Sequence, residues 1–332
     1  MPAIAVADAL RADGADVVFA GGERAEAELV PAAGYPLEPL RVEGLSRRNP
    51  LKAARALVRA AGALRAARVI IARQRPDAVL GGGGYVAGPV GLAAVTRGVP
   101  LVLAEADSHL GLSNRALARW ARRVCLAFPI PGRDGERYMV TGRPVPPRVA
   151  TRAAARERLG VPAGAICVLV FGGSLGARSI NLAAPEAFAD APYRVLHVAG
   201  TRDLPDLRSP GPHYDLRGYL TPFGLALAAA DLAVARAGGS VFELAQYGLP
   251  AVLIPYPHAS ADHQSANARW MERHGAAVVL PDAELTPARL RREVDALLDD
   301  REHLNRMAEA SAALARPDAA AVVAREVLSA AR

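Results

Sequence analysis

Cysteine is scarce in this chain: Cys125 and Cys167 are the only two among 332 residues, and both sit inside apolar runs. A pair so placed gives no disulfide framework, which excludes a small stapled secreted fold and suits a reducing, cytosolic compartment. Aromatic residues amount to 5%, and none accompany the basic clusters as the stacking platforms of a nucleic-acid groove would. No apolar run reaches the roughly 18 to 20 residues that cross a bilayer. The opening Met1-Pro2-Ala3-Ile4 lacks the basic flank of a signal peptide. No carboxylate pair or histidine cluster has metal-ligand spacing, so no metal or other cofactor is expected. Lone histidines such as His197 and His213 read as packed or exposed side chains rather than ligands.

What is present is apolar aliphatic content, 52% of residues by the broad count, which excludes a disordered chain and suits a soluble α/β protein. The length exceeds one typical core and fits two domains of about 150 residues each. A net charge of +7 and a pI near 9.9 point to an anionic partner. Between Arg47 and Arg75 the basic residues Arg47, Arg48, Lys52, Arg55, Arg59, Arg65, Arg68, Arg73 and Arg75 interleave with Leu51, Leu57, Val58, Leu64, Val69, Ile70 and Ile71. That is a loop and a basic amphipathic helix, suited to anionic lipid headgroups. The pattern equally describes a solvated helix with its apolar side in a core, and the sequence leaves both open.

Short apolar runs alternate with helical patterns throughout, which predicts parallel sheets covered on both faces. The first half offers strands at Asp16–Ala20, Asp77–Leu80, Leu101–Ala104, Val124–Phe128 and Tyr138–Val140. The second half offers Ile166–Phe171, Arg194–Val198, Leu232–Ala235, Ala251–Ile254 and Ala277–Leu280. The run Thr141-Gly142-Arg143-Pro144-Val145-Pro146-Pro147 cannot be helical and reads as the linker. This divides the chain into residues 1–142, 143–316 and a closing helix, 317–332, expected to pack back on the first domain.

Three glycine-rich turns follow strands: Gly81 to Pro89, Phe171 to Arg178, and Arg236-Ala237-Gly238-Gly239-Ser240-Val241-Phe242-Glu243. The last leads into a helix over Val241–Tyr247, with His263-Gln264-Ser265-Ala266-Asn267-Ala268 downstream. A strand, a glycine turn and a helix N-terminus make an anion site, because unpaired N–H groups and the positive dipole end meet there. A carboxylate one turn into such a helix can accept both hydrogens of a ribose diol. Any one of these turns could serve packing alone. Together they predict anionic ligands bound between two domains, with a nucleotide-sugar favoured by the downstream His-Gln-x-x-Asn.

At these residues the chain resembles the GT-B glycosyltransferases that complete lipid II in bacterial cell-wall synthesis. The likeness runs through Val79 to Pro89, Glu105 with Leu112-Ser113-Asn114, and Thr141 to Val145. It continues through Gly172 to Arg178, Gly238 to Glu243, Gly248-Leu249-Pro250, and His263-Gln264 with Asn267-Ala268. The resemblance implies two Rossmann-like, doubly wound parallel-sheet domains facing a cleft. It implies inverting, metal-independent transfer of N-acetylglucosamine from UDP to the C4 hydroxyl of a lipid-linked muramyl-pentapeptide. By family position Ser174 and the N–H groups at Gly239 and Ser240 take the diphosphate, Glu243 the ribose, and Gln264 the sugar hydroxyls. Asn114, Gly238 and Asn267 complete the donor set, and Gly83, Gly84, Tyr85 and Gly88 face the acceptor's pyrophosphate. The implied place is cytoplasmic, peripheral on the inner face of the membrane.

The chain also departs from the family. Pro2-Ala3-Ile4-Ala5-Val6-Ala7 matches the family's first helix, and the strand and Gly-Gly-Thr-x-Gly-His turn that precede it there have no counterpart here. The first domain is therefore expected to lack its first strand and the usual histidine base, leaving Glu105 as the catalytic carboxylate. It is also expected that Met1 is an internal valine codon taken as the start, with one strand and turn lying upstream. Ala104 and Asp107 replace the His and Asn that usually flank Glu105. The Arg236–Glu243 turn is one residue short, and Pro146 replaces an arginine. These departures keep other readings in play: a GT-B enzyme with another acceptor, a silent homologue, or a nucleotide-sugar epimerase.

Overall fold

Aliphatic runs too short for helices become parallel strands, and the alanine-rich stretches between them become the helices that cover the sheets. The computed structural model describes residues 2–22, 25–40, 50–173, 176–259 and 262–332, with side chains at all of these except 25 and 50–60. The chain forms two compact units, Met1–Pro146 with Arg316–Arg332, and Pro147–Ala315. The division falls inside the proline-rich run.

The first unit begins with α1 (Pro2–Ala12), β1 (Phe19–Gly21), α2 (Ala25–Ala32), β2 (Leu37–Pro39), α3 (Pro50–Gln74) and β3 (Val79–Gly81). It continues with α4 (Gly84–Thr96), β4 (Leu101–Glu105), α5 (Leu112–Leu117), β5 (Arg123–Leu126) and β6 (Tyr138–Val140). Its strands form two parallel sheets, β1-β2 and β3-β4-β5-β6. Among the described residues β1 pairs only with β2 and β3 only with β4. The first strand lies later than the expected Asp16–Ala20, because its ladder with β2 starts where the Phe19 N–H donates to the Pro36 carbonyl. On α3, Ala63, Ala67 and Ile71 repeat every four residues and are buried, while Arg65, Arg68 and Arg73 face out. Arg47 and Arg48 lie outside the described residues, as do the side chains of Lys52, Arg55 and Arg59.

The second unit runs α6 (Arg152–Leu159), β7 (Cys167–Phe171), α7 (Arg178–Ala187), β8 (Arg194–Val198), β9 (Tyr214–Arg217), α8 (Gly224–Ala229) and β10 (Leu232–Ala235). It closes with α9 (Ser240–Tyr247), β11 (Ala251–Leu253), α10 (His263–Arg273), β12 (Ala277–Val279), α11 (Pro287–Asp299) and α12 (Arg301–Ala313). One six-stranded parallel sheet has the order β12-β11-β10-β7-β8-β9. Its central strands β7 and β10 are buried along their whole length, which is why they read as continuous apolar runs. Edge strand β9 alternates Tyr214 and Leu216 with Asp215 and Arg217, too mixed a pattern to stand out. Because strand order reverses between β7 and β10, their carboxyl ends flank the switch point of the sheet, where ligands of open α/β folds bind.

After the second unit the chain returns to the first as α13 (Ala319–Ala331), which packs on α1 and β4. Val323, Ala324 and Val327 join Val6, Leu10, Val102 and Cys125 in one core cluster, and Glu326 pairs with Arg123 at 2.6 Å. Burial pushes the Cys125 thiol up to about 12 and that of Cys167 up to about 11, so both are unreactive packing residues.

The return passes over Gly142, which has φ +78°; a Cβ added there would lie 2.5 Å from Arg316 Cβ. Gly142→Ala is therefore expected to cost about 2 kcal/mol or more, a fall of roughly 4 to 8 °C in the Tm of this unit. A calorimetric melt checks this, and an unchanged Tm would mean that the return strap is not seated against Gly142.

Candidate functional site

The second unit builds its site on the two turns that flank the switch point. After β10 the chain runs Arg236–Gly239 and enters α9, whose first turn carries Glu243. Gly239 is the N-cap residue and makes no side-chain cap, so the first N–H groups of α9 lack the side-chain partner that a Ser or Asp cap would supply. Ser240 Oγ bonds the Arg236 carbonyl at 3.3 Å. From α10, buried Asn267 donates to the Ala237 carbonyl at 3.0 Å, and Gln264 Oε1 accepts from the Tyr256 N–H at 3.0 Å. Gly238, Gly239, Ser240, Glu243, Gln264 and Asn267 are thus gathered at one end of the sheet. Asn267 Oδ1 is buried with no hydrogen-bond partner among the described residues.

After β7 the turn runs through Gly173 (φ +93°) and Gly176 (φ +77°), conformations that favour glycine. Ser174, expected on the diphosphate, lies outside the described residues together with Leu175.

Arg236 is the residue that sequence reasoning passed over. Its side chain is buried among acceptors: the carbonyls of Ile254 and Pro255 at 3.1 Å each, and Asp282 at 2.6 Å. It also donates to Ser179 Oγ at 2.7 Å, and that hydroxyl bonds Asp282 at 2.7 Å. One guanidinium therefore ties the ends of β10 and β11 to the start of α7. The signal was present as a cation directly after a buried strand, a position tolerable only when fully paired.

The first unit gathers its candidates around β3 and β4, which are adjacent and parallel. Gly83 (φ +82°) and Gly84 (φ +74°) turn the chain into α4. Ser113 Oγ donates to the Gly84 carbonyl at 2.8 Å, and a Cβ on Gly88 would lie 3.3 Å from that hydroxyl. Tyr85 is 62% exposed at the mouth of this turn. Glu105, at the end of β4, is buried and accepts from the Asp107 N–H at 3.2 Å, the Gly111 N–H at 2.8 Å and Asn114 Nδ2 at 2.9 Å. Asn114 also donates to the Ala104 carbonyl at 3.1 Å, and its Oδ1 has no partner among the described residues. A Cβ on Gly83 would lie 3.6 Å from Asn114 Nδ2, so the glycine turn and the Glu105 cluster adjoin. Asn114 therefore stands in the first unit, whereas the other described donor-side candidates stand in the second.

Both lone histidines are packed. His197 bonds Asn181 and Tyr214, and His213 Nε2 meets the Phe188 carbonyl at 2.8 Å. Among the described residues no three His, Cys, Asp or Glu side chains converge where they could hold a metal ion. No described helix is long and apolar enough to cross a membrane.

Comparison with known proteins matches this geometry to one family. The glycosyltransferase family 28 N-terminal domain matches residues 1–126, and the family 28 C-terminal domain matches residues 167–323. A protein of Alkalilimnicola ehrlichii is 43% identical over 350 residues, spanning 100% of this chain and 95% of its own. One of Rubrobacter xylanophilus is 42% identical over 335 residues, spanning 98% and 99%. Both are named UDP-N-acetylglucosamine–N-acetylmuramyl-(pentapeptide) pyrophosphoryl-undecaprenol N-acetylglucosamine transferase. The crystal structure of Acinetobacter baumannii MurG superposes with a TM-score of 0.80 at 29% identity, covering 99% of this chain and 95% of that one. The fold is GT-B, and with both domain matches in chain order and full-length relatives above 40% identity, the chain belongs to glycosyltransferase family 28.

Proposed function

We propose that this chain transfers N-acetylglucosamine from UDP-N-acetylglucosamine to the C4 hydroxyl of a lipid-linked muramyl-pentapeptide, with inversion at the sugar's C1. The observation that carries this reading is the likeness along the whole chain to relatives named for that reaction. In a single displacement the acceptor oxygen bonds C1 as the bond from C1 to the diphosphate breaks. The acceptor proton leaves to a base or to solvent, and the leaving UDP gathers negative charge. The second unit suits the donor. The α9 N-terminus, with Gly239 and Ser240, offers N–H groups and a positive dipole end to that charge. Ser174 is assigned to the same diphosphate, Glu243 to the ribose diol, Gln264 and Asn267 to the sugar side. The Gly83–Gly88 turn with Tyr85 is assigned to the acceptor's pyrophosphate, at the start of α4.

If Glu243 holds the ribose, Glu243→Ala removes buried hydrogen bonds to a diol, each worth about 1 to 3 kcal/mol. UDP affinity is expected to fall about tenfold or more, and an unchanged calorimetric Kd would remove the assignment.

Glu105 is assigned to the acceptor side, through its own carboxylate or through the turn it organises. Its three donors hold the Asp107–Asn114 segment in place, which orients whatever that segment presents. Glu105→Gln is expected to lower kcat about a hundredfold with little change in KM for the donor. Full turnover would leave Glu105 as a residue that only shapes its loop.

The Arg47–Arg75 region is assigned to an anionic membrane surface on the cytoplasmic side. Binding to vesicles containing an anionic phospholipid is expected to exceed binding to neutral ones, and to weaken as salt rises. Equal sedimentation with both kinds of vesicle at low salt would rule this out.

A further inference from the structure

A hydrogen-bonded chain of side chains runs beneath Gly176 and Ala177, where the second glycine turn enters α7. Asn181, one turn into α7, is fully buried, and so is His197 on β8. Asn181 Nδ2 donates to the Ala199 carbonyl at 2.8 Å and to Asp203 Oδ2 at 2.9 Å. At its other end Asn181 Oδ1 lies 3.1 Å from His197 Nε2, and His197 Nδ1 lies 2.7 Å from the Tyr214 hydroxyl.

The acceptors at one end fix the direction of every bond. A carbonyl and a carboxylate can only accept, so the amide NH2 of Asn181 must face Ala199 and Asp203. Its oxygen then faces His197, which must carry its proton on Nε2, and Nδ1 must accept from Tyr214. A neutral ring is needed for that tautomer, and burial lowers the His197 pKa to about 4. At the far end the Arg202 guanidinium holds the Asp203 carboxyl below its ordinary range. Asp203 also pairs, at 3.6 Å, with Arg178, the residue that ends the turn.

The turn lies directly on these atoms. A Cβ added to Gly176 would be 2.1 Å from the Ala199 oxygen and 3.1 Å from Asn181 Nδ2. The Asn181 N–H donates to the Ala177 carbonyl at 2.8 Å, and the Gly176 N–H to the Gly173 carbonyl at 3.0 Å. Rotating the amide by half a turn would set Oδ1 against a carbonyl and a carboxylate in a buried site. The Ala199 carbonyl and the Asn181 amide, both against Gly176, would then repel one another instead of bonding. Only the proton on His197 Nε2 distinguishes the two amide orientations from the Oδ1 side.

We propose that His197, backed by Tyr214, is a positioning residue for the donor diphosphate. Together with the Ala199 carbonyl and Asp203 it holds the Asn181 amide in place, and through that amide the backbone of the turn at Gly176 and Ala177. The inference rests on reading that turn as part of the diphosphate cradle, and it adds the device that keeps the cradle in shape.

The test compares UDP with uridine, which shares the nucleoside and lacks the phosphates, on the full chain with Ser174→Ala as the direct probe of the turn. Ser174→Ala, His197→Leu and Tyr214→Phe are each expected to weaken UDP binding about fivefold to tenfold, the scale of one hydrogen bond, with uridine affinity unchanged. His197→Gln, which offers one donor and one acceptor, is expected to restore most of the UDP affinity lost in His197→Leu. Tyr214→Phe keeps the packed ring and stands in should His197→Leu fail to fold in a thermal melt. If Ser174→Ala weakens UDP while His197→Leu and Tyr214→Phe do not, the positioning role is overturned and the cradle survives. Equal losses of UDP and uridine would make His197 a stability residue and overturn the role as well. If Ser174→Ala leaves UDP binding intact, the turn does not hold the diphosphate, and the proposal falls with that reading.

Discussion

A single buried cation organises the ligand end of the second unit. Arg236 is 8% exposed, and leaving such a charge short of one partner costs about 3 to 5 kcal/mol. Its partners are therefore obligatory. They are the carbonyls that follow β11, the Ser179 hydroxyl at the start of α7, and Asp282 beyond β12. These segments come from distant parts of the sequence, and the guanidinium fork brings them to one point beside the switch between β7 and β10. The Gly238–Gly239 turn begins two residues later, so its departure point is fixed by a buried, fully paired cation.

A second constraint recurs beneath each glycine turn. Asn114, Asn181 and Asn267 are all 0 to 1% exposed. Each donates its amide to a carbonyl at or just beyond the carboxyl end of a strand: Ala104 on β4, Ala199 after β8 and Ala237 after β10. A turn rich in glycine has little side-chain packing to hold it, and its freedom is the entropy that binding would otherwise have to remove. A buried asparagine supplies two directed donors without a charge to desolvate, so it pins the last carbonyl of the strand at modest cost. Glycine gives the turn its shape and close approach, while asparagine below gives it rigidity.

The sequence made the parallel strands readable because β7, β10 and β11 are buried on both faces and so appear as unbroken apolar runs, while β8 is apolar apart from Arg194 and His197. It hid β2 and β9, which lie at sheet edges, where half-exposed strands mix polar and apolar residues. The glycine turns and Glu243 were legible because their spacing is local. Arg236 and Asn181 were not, since their meaning depends on partners 46 residues away at Asp282 and 18 and 22 away at Ala199 and Asp203. The basic stretch from Arg47 to Arg75 showed why charge pattern alone is ambiguous. In the described part of α3, Ala63, Ala67 and Ile71 meet the core while arginines face out, an arrangement common to a solvated helix and a membrane-facing one.

The three asparagines differ in what becomes of their oxygens. Asn181 Oδ1 accepts from His197, so that amide is satisfied at every position and belongs wholly to the scaffold. Asn114 and Asn267 each keep a buried Oδ1 with no partner among the described residues. An unmet buried acceptor costs about 1 to 3 kcal/mol, and a fold retains such a group where strain or unmet demand serves recognition. Those two are also the asparagines that family position assigns to the donor. The division is physical: the residue with no capacity left only holds a turn, whereas the other two each hold a turn and keep an unmet acceptor beside it.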